Sequence, residues 1–330
     1  MGHNTGKPGN KKSLSGTAVF RSATGSTEDG VPLALNRQAD ARIRPWAARA
    51  MVAYAYEREN QMIYGQLCND SAYLRCAVNV DWTAGTADGP MELRDETFLC
   101  GQHSAVMPLR YSGGIKVAGL MLRPGAMRAL FGVNDADMLN RITRIDAVGI
   151  PDREVTGLFN LDLEPSEWLE AIEGWLADYV TRKGIAPPEP LSQALELQAF
   201  TDPNRLLSEF AEEQGVSPRT VERVAKRDFG LTPKQIMRRA RILDLAAQLC
   251  GVADDAEEDD FLLRFFDQAH QIREFHTFFA MTPGEFQTKR SELLTLSLEI
   301  RQARRLELLD RIRPGAIRPW MRRTLLDAAE

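Results

Sequence analysis

Apolar residues recur along this chain with two different periods, and the change from one to the other divides it. From residue 43 to about residue 132 they come in short continuous or alternating runs, at 74–80, 92–100 and 115–122. Turn signals at Asp88-Gly89-Pro90 and Gly113-Gly114 bound these runs, which predicts β-strands joined by small turns. Residues 124–131 predict a helix with Pro124 at its opening. Past Leu163 the period becomes helical. Trp168, Ile172, Trp175, Leu176 and Tyr179 share one face of a helix that opens near Ser166 and ends at Gly184. Pro187-Pro188-Glu189-Pro190 cannot continue that helix and marks a linker. Residues 191–289 read as short helices joined by tight turns. Residues 293–311 read as a last helix, leucine-rich among arginines, which either packs on its own chain or dimerises.

Composition changes the picture at the ends. Residues 1–42 are rich in Gly, Ser, Thr, Lys and Asn, without the apolar centre of a signal peptide, and predict a disordered tail. No apolar run is long enough to span a membrane. Cys68, Cys76, Cys100 and Cys250 form no CxxC pair, and the four histidines stand at no zinc-like spacing from them. Reduced thiols in a cytoplasm are expected, with no metal and no cofactor. No GxSxG, HExxH or phosphate-loop pattern occurs, so no catalytic residue is assigned and an enzyme is not expected.

The net charge of −5 gives no hint of nucleic acid, but its distribution does. Residues 203–249 carry nine basic residues against six acidic ones, whereas 250–290 carry four against nine, because of the acidic stretch at 254–260. A DNA-binding argument therefore rests on local faces and geometry.

The geometry lies at 206–229. Leu206, Leu207 and Phe210 share a face of a first helix, Gly215 supplies the positive φ of a turn, Ser217 is an N-cap and Pro218 sits at the first helical position. The second helix buries Val221, Val224, Ala225 and Phe229. Its other face shows Arg219, Glu222, Arg223 and Lys226 at i, i+3, i+4 and i+7. Such a stripe suits major-groove reading, because Arg donates bidentately to guanine and Glu accepts from cytosine. A solvated helix face carries the same charges, and Glu222 could equally pair with Lys226 along the helix. A helix capped by Thr232 and opened by Pro233 follows, bearing Arg238, Arg239 and Arg241. A second unit ends in the same way, at Met281-Thr282-Pro283.

The run Gly-Val-Ser-x-Arg-x-Val-x-Arg at 215–223 with its Phe-Gly-x-Thr-Pro, and Asp-Gln-Ala-His-x-Ile-Arg-Glu-Phe at 267–275 closed by Met-Thr-Pro-Gly-Glu-Phe, resemble the AraC/XylS family of transcription regulators. The resemblance covers roughly 189–289. It implies two helix-turn-helix units joined by a long helix at about 233–249, each placing its second helix in the major groove of double-stranded DNA. By position it implies contacts from Arg219, Glu222 and Arg223 in the first unit. In the second it implies contacts from Gln268, Ala269, His270, Ile272 and Arg273. Arg264 stands where the family usually has Gly, and Gln271 where it usually has a buried aromatic. The first unit is therefore expected to carry most of the specificity.

Residues 44–149 resemble, less closely, the small N-terminal domains of such regulators. That implies a small-molecule effector or a homodimer, with RNA polymerase as a further partner of an activator. The effector site itself is unassigned. Gly101, Gln102, His103 and Arg123 read either as turn and surface chemistry, the favoured reading, or as a ligand mouth. The expected fold class is α+β, an N-terminal mainly-β small domain plus a C-terminal all-α domain with two helix-turn-helix units. The expected division is a tail at 1–42, a β-rich sensor or oligomerisation domain at 43–150, and a helical connector and Pro linker at 151–188. The DNA-binding domain at 189–289 and a helical extension at 290–330 complete it. The competing function is a protein-interaction module whose helix-turn-helix domain no longer binds DNA and whose helix at 293–311 pairs with a partner.

Overall fold

The computed structural model describes residues 34–55, 62–112, 115–253 and 268–313. The first part holds ten strands: β1 (Ala34–Gln38), β2 (Ala47–Ala55), β3 (Ile63–Leu67), β4 (Tyr73–Ala77), β5 (Asp81–Thr86), β6 (Gly89–Leu93), β7 (Glu96–Cys100), β8 (Met107–Ser112), β9 (Ile115–Leu122) and β10 (Ile142–Arg144). They form two antiparallel sheets, ordered β1-β2-β9-β4-β7-β10 and β3-β8-β5-β6. Short helices α1 (Ala126–Phe131), α2 (Asp135–Met138) and α3 (Arg153–Thr156) follow, then the long α4 (Pro165–Lys183). The helical part comprises α5 (Pro190–Thr201), α6 (Leu207–Glu213), α7 (Pro218–Phe229), α8 (Pro233–Leu249), α9 (Gln268–Phe279), α10 (Pro283–Lys289) and α11 (Glu292–Leu308). No described helix is long and apolar enough to cross a membrane.

The six-stranded sheet is covered on both faces, which explains the near-continuous apolar runs of β4 and β9. Tyr73, Ala77, Val117 and Met121 face the four-stranded sheet and pack with Trp82, Leu93, Phe98 and Leu109. Leu74, Cys76, Ala118 and Leu120 face the other way, onto Trp168, Leu169, Ile172 and Leu176 of α4. That helix is held by Pro165 at its first turn, a capping box between Glu164 and Glu167, and a left-handed Gly184 at its end. All four cysteines are buried thiols.

Three local readings change. β1 falls within the stretch expected to be a disordered tail. It pairs antiparallel with β2, from Ala34↔Ala53 to Gln38↔Arg49. It is an edge strand with Ala34 alone fully buried, so backbone pairing fixes it and no apolar pattern betrays it. The run at 92–100 is two strands, broken at Arg94-Asp95, where Asp95 has φ 29°. Helix α1 takes left-handed Gly125 as its N-cap, so Pro124 lies outside it.

Helix α11 is the largest departure from a peripheral extension. Leu293, Leu296 and Ile300 close one side of the core between the sheets. Leu294, Leu298, Ala303 and Leu306 join a second core, built by Leu243 and Ala246 of α8, Phe275 and Phe279 of α9, and Phe286 of α10. Both faces are thus occupied within the chain, and three buried arginines add ion pairs. Arg301 bonds Asp70 at 2.9 Å and Asp244 at 2.7 Å, and Arg304 bonds Glu196 and Ser71. Arg305 donates to the Phe200 carbonyl at 3.2 Å.

Candidate DNA-binding face

Helix α7 is built as its sequence requires. The Ser217 hydroxyl accepts from the Thr220 amide at 3.2 Å, Pro218 opens the first turn, and Gly230 ends the helix at φ 69°. Gly215, at φ 65°, makes the turn from α6. Val221, Val224, Ala225 and Phe229 are buried; all but Val224 lie in a core with Leu195, Phe210, Leu231 and Ile236, where Val216 also packs. Leu206 departs from the expected face. It precedes α6 as its N-cap and is 62% exposed.

The opposite face of α7 presents Arg219, Glu222, Arg223 and Lys226 to solvent. Lys226 donates to the Gly230 carbonyl at 3.1 Å rather than to Glu222, because the unsatisfied carbonyls at a helix C-terminus attract a cation. Arg219, Glu222 and Arg223 make no ion pair among the described residues.

The end of α7 is docked onto the first part of the chain. Asp228 is buried and accepts from Ser192 and from Arg227 at 2.7 Å, while Arg227 also forks onto Glu189 at 3.0 Å through both Nη atoms. Burial pushes the Asp228 carboxyl up, but the hydrogen bonds from Arg227 and Ser192 outweigh it and hold the group below its ordinary value. Gly230 lies so close to α2 that a Cβ there would stand 2.8 Å from the Asp135 carbonyl oxygen. Asp135 itself is buried beside Asp228. Desolvation raises its pKa to about 8, partly opposed by a hydrogen bond from Gln102 at 3.2 Å.

The arginines of α8 do not add to the face. Arg238 pairs with Glu274 at 2.9 Å, and Arg241 donates to the Pro203 carbonyl at 2.8 Å. Arg239 is buried against the β-rich part. Gln102 and His103 are likewise sealed in that contact, so with Gly101 they form no ligand mouth. Burial lowers the pKa of His103 to about 3, so its ring is neutral. Arg123 is half-buried and donates to the Arg44 carbonyl at 2.7 Å.

In the second unit, Ile272 and Arg273 are exposed on α9, while Phe275, Phe278 and Phe279 are buried. Gln268, Ala269 and His270 lie in the first turn of α9, and their side chains, like that of Gln271, fall outside the described residues. So do Arg264 and the acidic stretch at 254–260. Both units end alike, a helix closing at Phe229 or Phe279, a left-handed residue, then a Thr-capped helix with a capping box and Pro at its first position.

The residues of the contact that sequence reasoning missed are Asp135, Asp228 and the arginines of α11, while Gln102 stands out in the sequence as turn chemistry or a ligand mouth and not as the centre of this contact. Of those missed, Asp228, an acid at the end of a basic helix, left a trace.

Residues 210–289 match the family described as a helix-turn-helix domain. No curated protein matches the chain. Among solved structures, the chain is similar to apo ToxT from Vibrio cholerae, with a TM-score of 0.43 and 9% identity over 76% of this chain and 98% of that one. It is similar to ToxT from Vibrio cholerae bound to an unsaturated fatty acid, with a TM-score of 0.41 and 8% identity over 77% and 94%. It is also similar to the AraC-like transcriptional activator CuxR, with a TM-score of 0.25 and 13% identity over 64% and 86%. At such identities none of them bears on what this chain binds.

Proposed function

We propose, since residues 210–289 are an AraC-type helix-turn-helix domain, that this chain is a sequence-specific transcription regulator that reads the major groove with α7 and α9. One observation carries the reading. The four polar residues of α7 stand open to solvent on a helix whose other face is locked in a core. Arg219 and Arg223 supply bidentate donors to guanine, Glu222 an acceptor for a cytosine amino group, and Lys226 a phosphate contact. Arg273 and Ile272 are the exposed groups of α9 that take the same role, with Gln268, Ala269 and His270 beside them. The competing role, partner binding through residues 293–311, has less support because α11 already spends both faces inside the chain.

The reading includes a small-molecule effector. A cavity between the two sheets, lined by Met51, Leu109, Leu296 and Ile300, also holds the buried Trp82 indole. Its Nε1–H has no partner among the described residues. At about 50 Å3 the space lies far below the ~300–1,000 Å3 of small-molecule sites, so an apolar effector with one hydrogen-bond acceptor would have to part α11 from the sheets to enter it.

Binding to duplex DNA across a salt series tests the main claim. A groove reader using several phosphate contacts loses affinity steeply as salt rises. Arg223→Ala should weaken binding to a selected site by about 1–3 kcal/mol. Weak, salt-independent binding, or unchanged affinity in a folded Arg223→Ala variant, would overturn the reading.

A further inference from the structure

Where the β-rich part, α8 and α9 meet there is a crevice of about 240 Å3. Its apolar side is Leu231, Ile242 and Phe278, and its polar side is Ser104, Gln235 and Thr277. Arg238 and Glu274 also line it, but they neutralise one another at 2.9 Å. The remaining charged group is Arg239, which is only 6% exposed.

Arg239 is bound by neutral oxygens alone. Its Nη1 donates to the His103 carbonyl at 3.1 Å, and its Nη2 to the Asp70 carbonyl and the Gln102 amide, both at 2.8 Å. The Asp70 carboxylate is turned instead to Arg301. A guanidinium has five N–H donors. The Nε–H and one Nη1–H of Arg239 therefore have no protein partner among the described residues. A buried cation is costly unless an anion accompanies it. None of its hydrogen-bond partners is one, and the nearby Asp70 carboxylate, which favours its charge from a distance, is spent on Arg301.

We propose that this crevice is a binding site for a small organic anion, whose carboxylate or phosphate group meets Arg239 and whose short apolar body rests on Leu231, Ile242 and Phe278. Gln235 and Ser104 supply further hydrogen bonds to the head group, and the crevice is below the ~300–1,000 Å3 of sites for larger ligands. The occupant would touch the β-rich part through Ser104 and the second reading helix through Thr277 in one grip. Occupancy would therefore stiffen the placement of α9 relative to the sheets.

Calorimetric titration of the full chain with isovalerate, and separately with inorganic phosphate, in chloride-matched buffer tests this without DNA. Its failure is thus distinct from failure of the DNA-binding reading. Saturable binding of either anion is expected, and which of the two binds identifies the head group. Arg239→Gln should weaken it by about tenfold or more. Because that change touches a buried contact and could cost the fold, Ser104→Trp at the exposed rim serves as the second variant and should abolish binding by filling the mouth. Absence of saturable binding by both anions, or binding unaltered in Ser104→Trp, would overturn the proposal.

Discussion

The Gln102 side-chain oxygen accepts a hydrogen bond from Arg239 at 2.8 Å, and the same amide donates from Nε2 to the Asp135 carboxylate and to the Asp228 carbonyl at 3.1 Å. One uncharged side chain from the loop after β7 thus touches α2, the end of α7 and the middle of α8. An amide can serve an acid, a carbonyl and a guanidinium at once because it carries both donors and acceptors. Gln102→Leu removes all three bonds and leaves buried groups without partners. Urea denaturation should show a loss of about 1–3 kcal/mol for each group so stranded. A loss well under that would mean that the contact is wetter than its burial implies.

Asp135 predicts a pH dependence. Its folded pKa is raised to about 8, chiefly by burial, with Gln102 opposing and Asp228 reinforcing the shift. Arg239 of α8 acts in the opposing sense. The neutral acid is therefore the form that the contact favours. Its share of stability is complete below the ordinary aspartate value near 4 and is lost progressively as pH rises to about 8. Asp135→Asn keeps the shape without the charge. Thermal melts from pH 5 to 8.5 should fall less steeply for the variant, and parallel curves would remove Asp135 as the cause.

The Arg304–Glu196 pair bridges α11 and α5, both ends buried. Arg304→Met leaves the buried Glu196 carboxyl without its ion-pair partner, at a cost of about 3–5 kcal/mol. Adding Glu196→Leu should recover most of that loss, since an apolar pair of similar volume needs no desolvation. Chemical denaturation of the single and double variants reads the difference directly.

Ala280 occupies, at φ 53°, the place that Gly230 fills in the first unit. A left-handed conformation costs an alanine about 1–2 kcal/mol. Ala280→Gly should therefore raise the melting temperature, the stabilisation being about 1 kcal/mol after the added freedom of the unfolded chain. No gain would show that α9 and α10 relax around that residue.

The sequence made legible whatever is decided locally. The cap of α7 at Ser217, its Pro218 and Gly230, the bounds of α8 and the apolar face of α4 all follow from neighbours in the chain. The open stripe of α7 was visible for the same reason. The edge strand β1 was not, because its pairing is backbone-made. Nor was the contact around Gln102, whose partners lie 33 to 137 positions away along the chain. Arg239 shows the limit most plainly. As a sequence it is one of three arginines that follow Pro233, with no role of its own, whereas the fold turns it inward onto carbonyl oxygens. The leucines of α11 read as a packing or pairing face, and nothing in their spacing told which.

Because α11 seals the seam between the sheets and the reading helices, the molecule is fastened late in its own synthesis. The strands and the first helix-turn-helix leave the ribosome before residues 292–308, and until those residues emerge neither part has its final covering. A premature stop shortly before residue 292 would remove no reading residue at all. Such a product would still carry every side chain assigned to DNA, yet present an open apolar seam to chaperones and proteases.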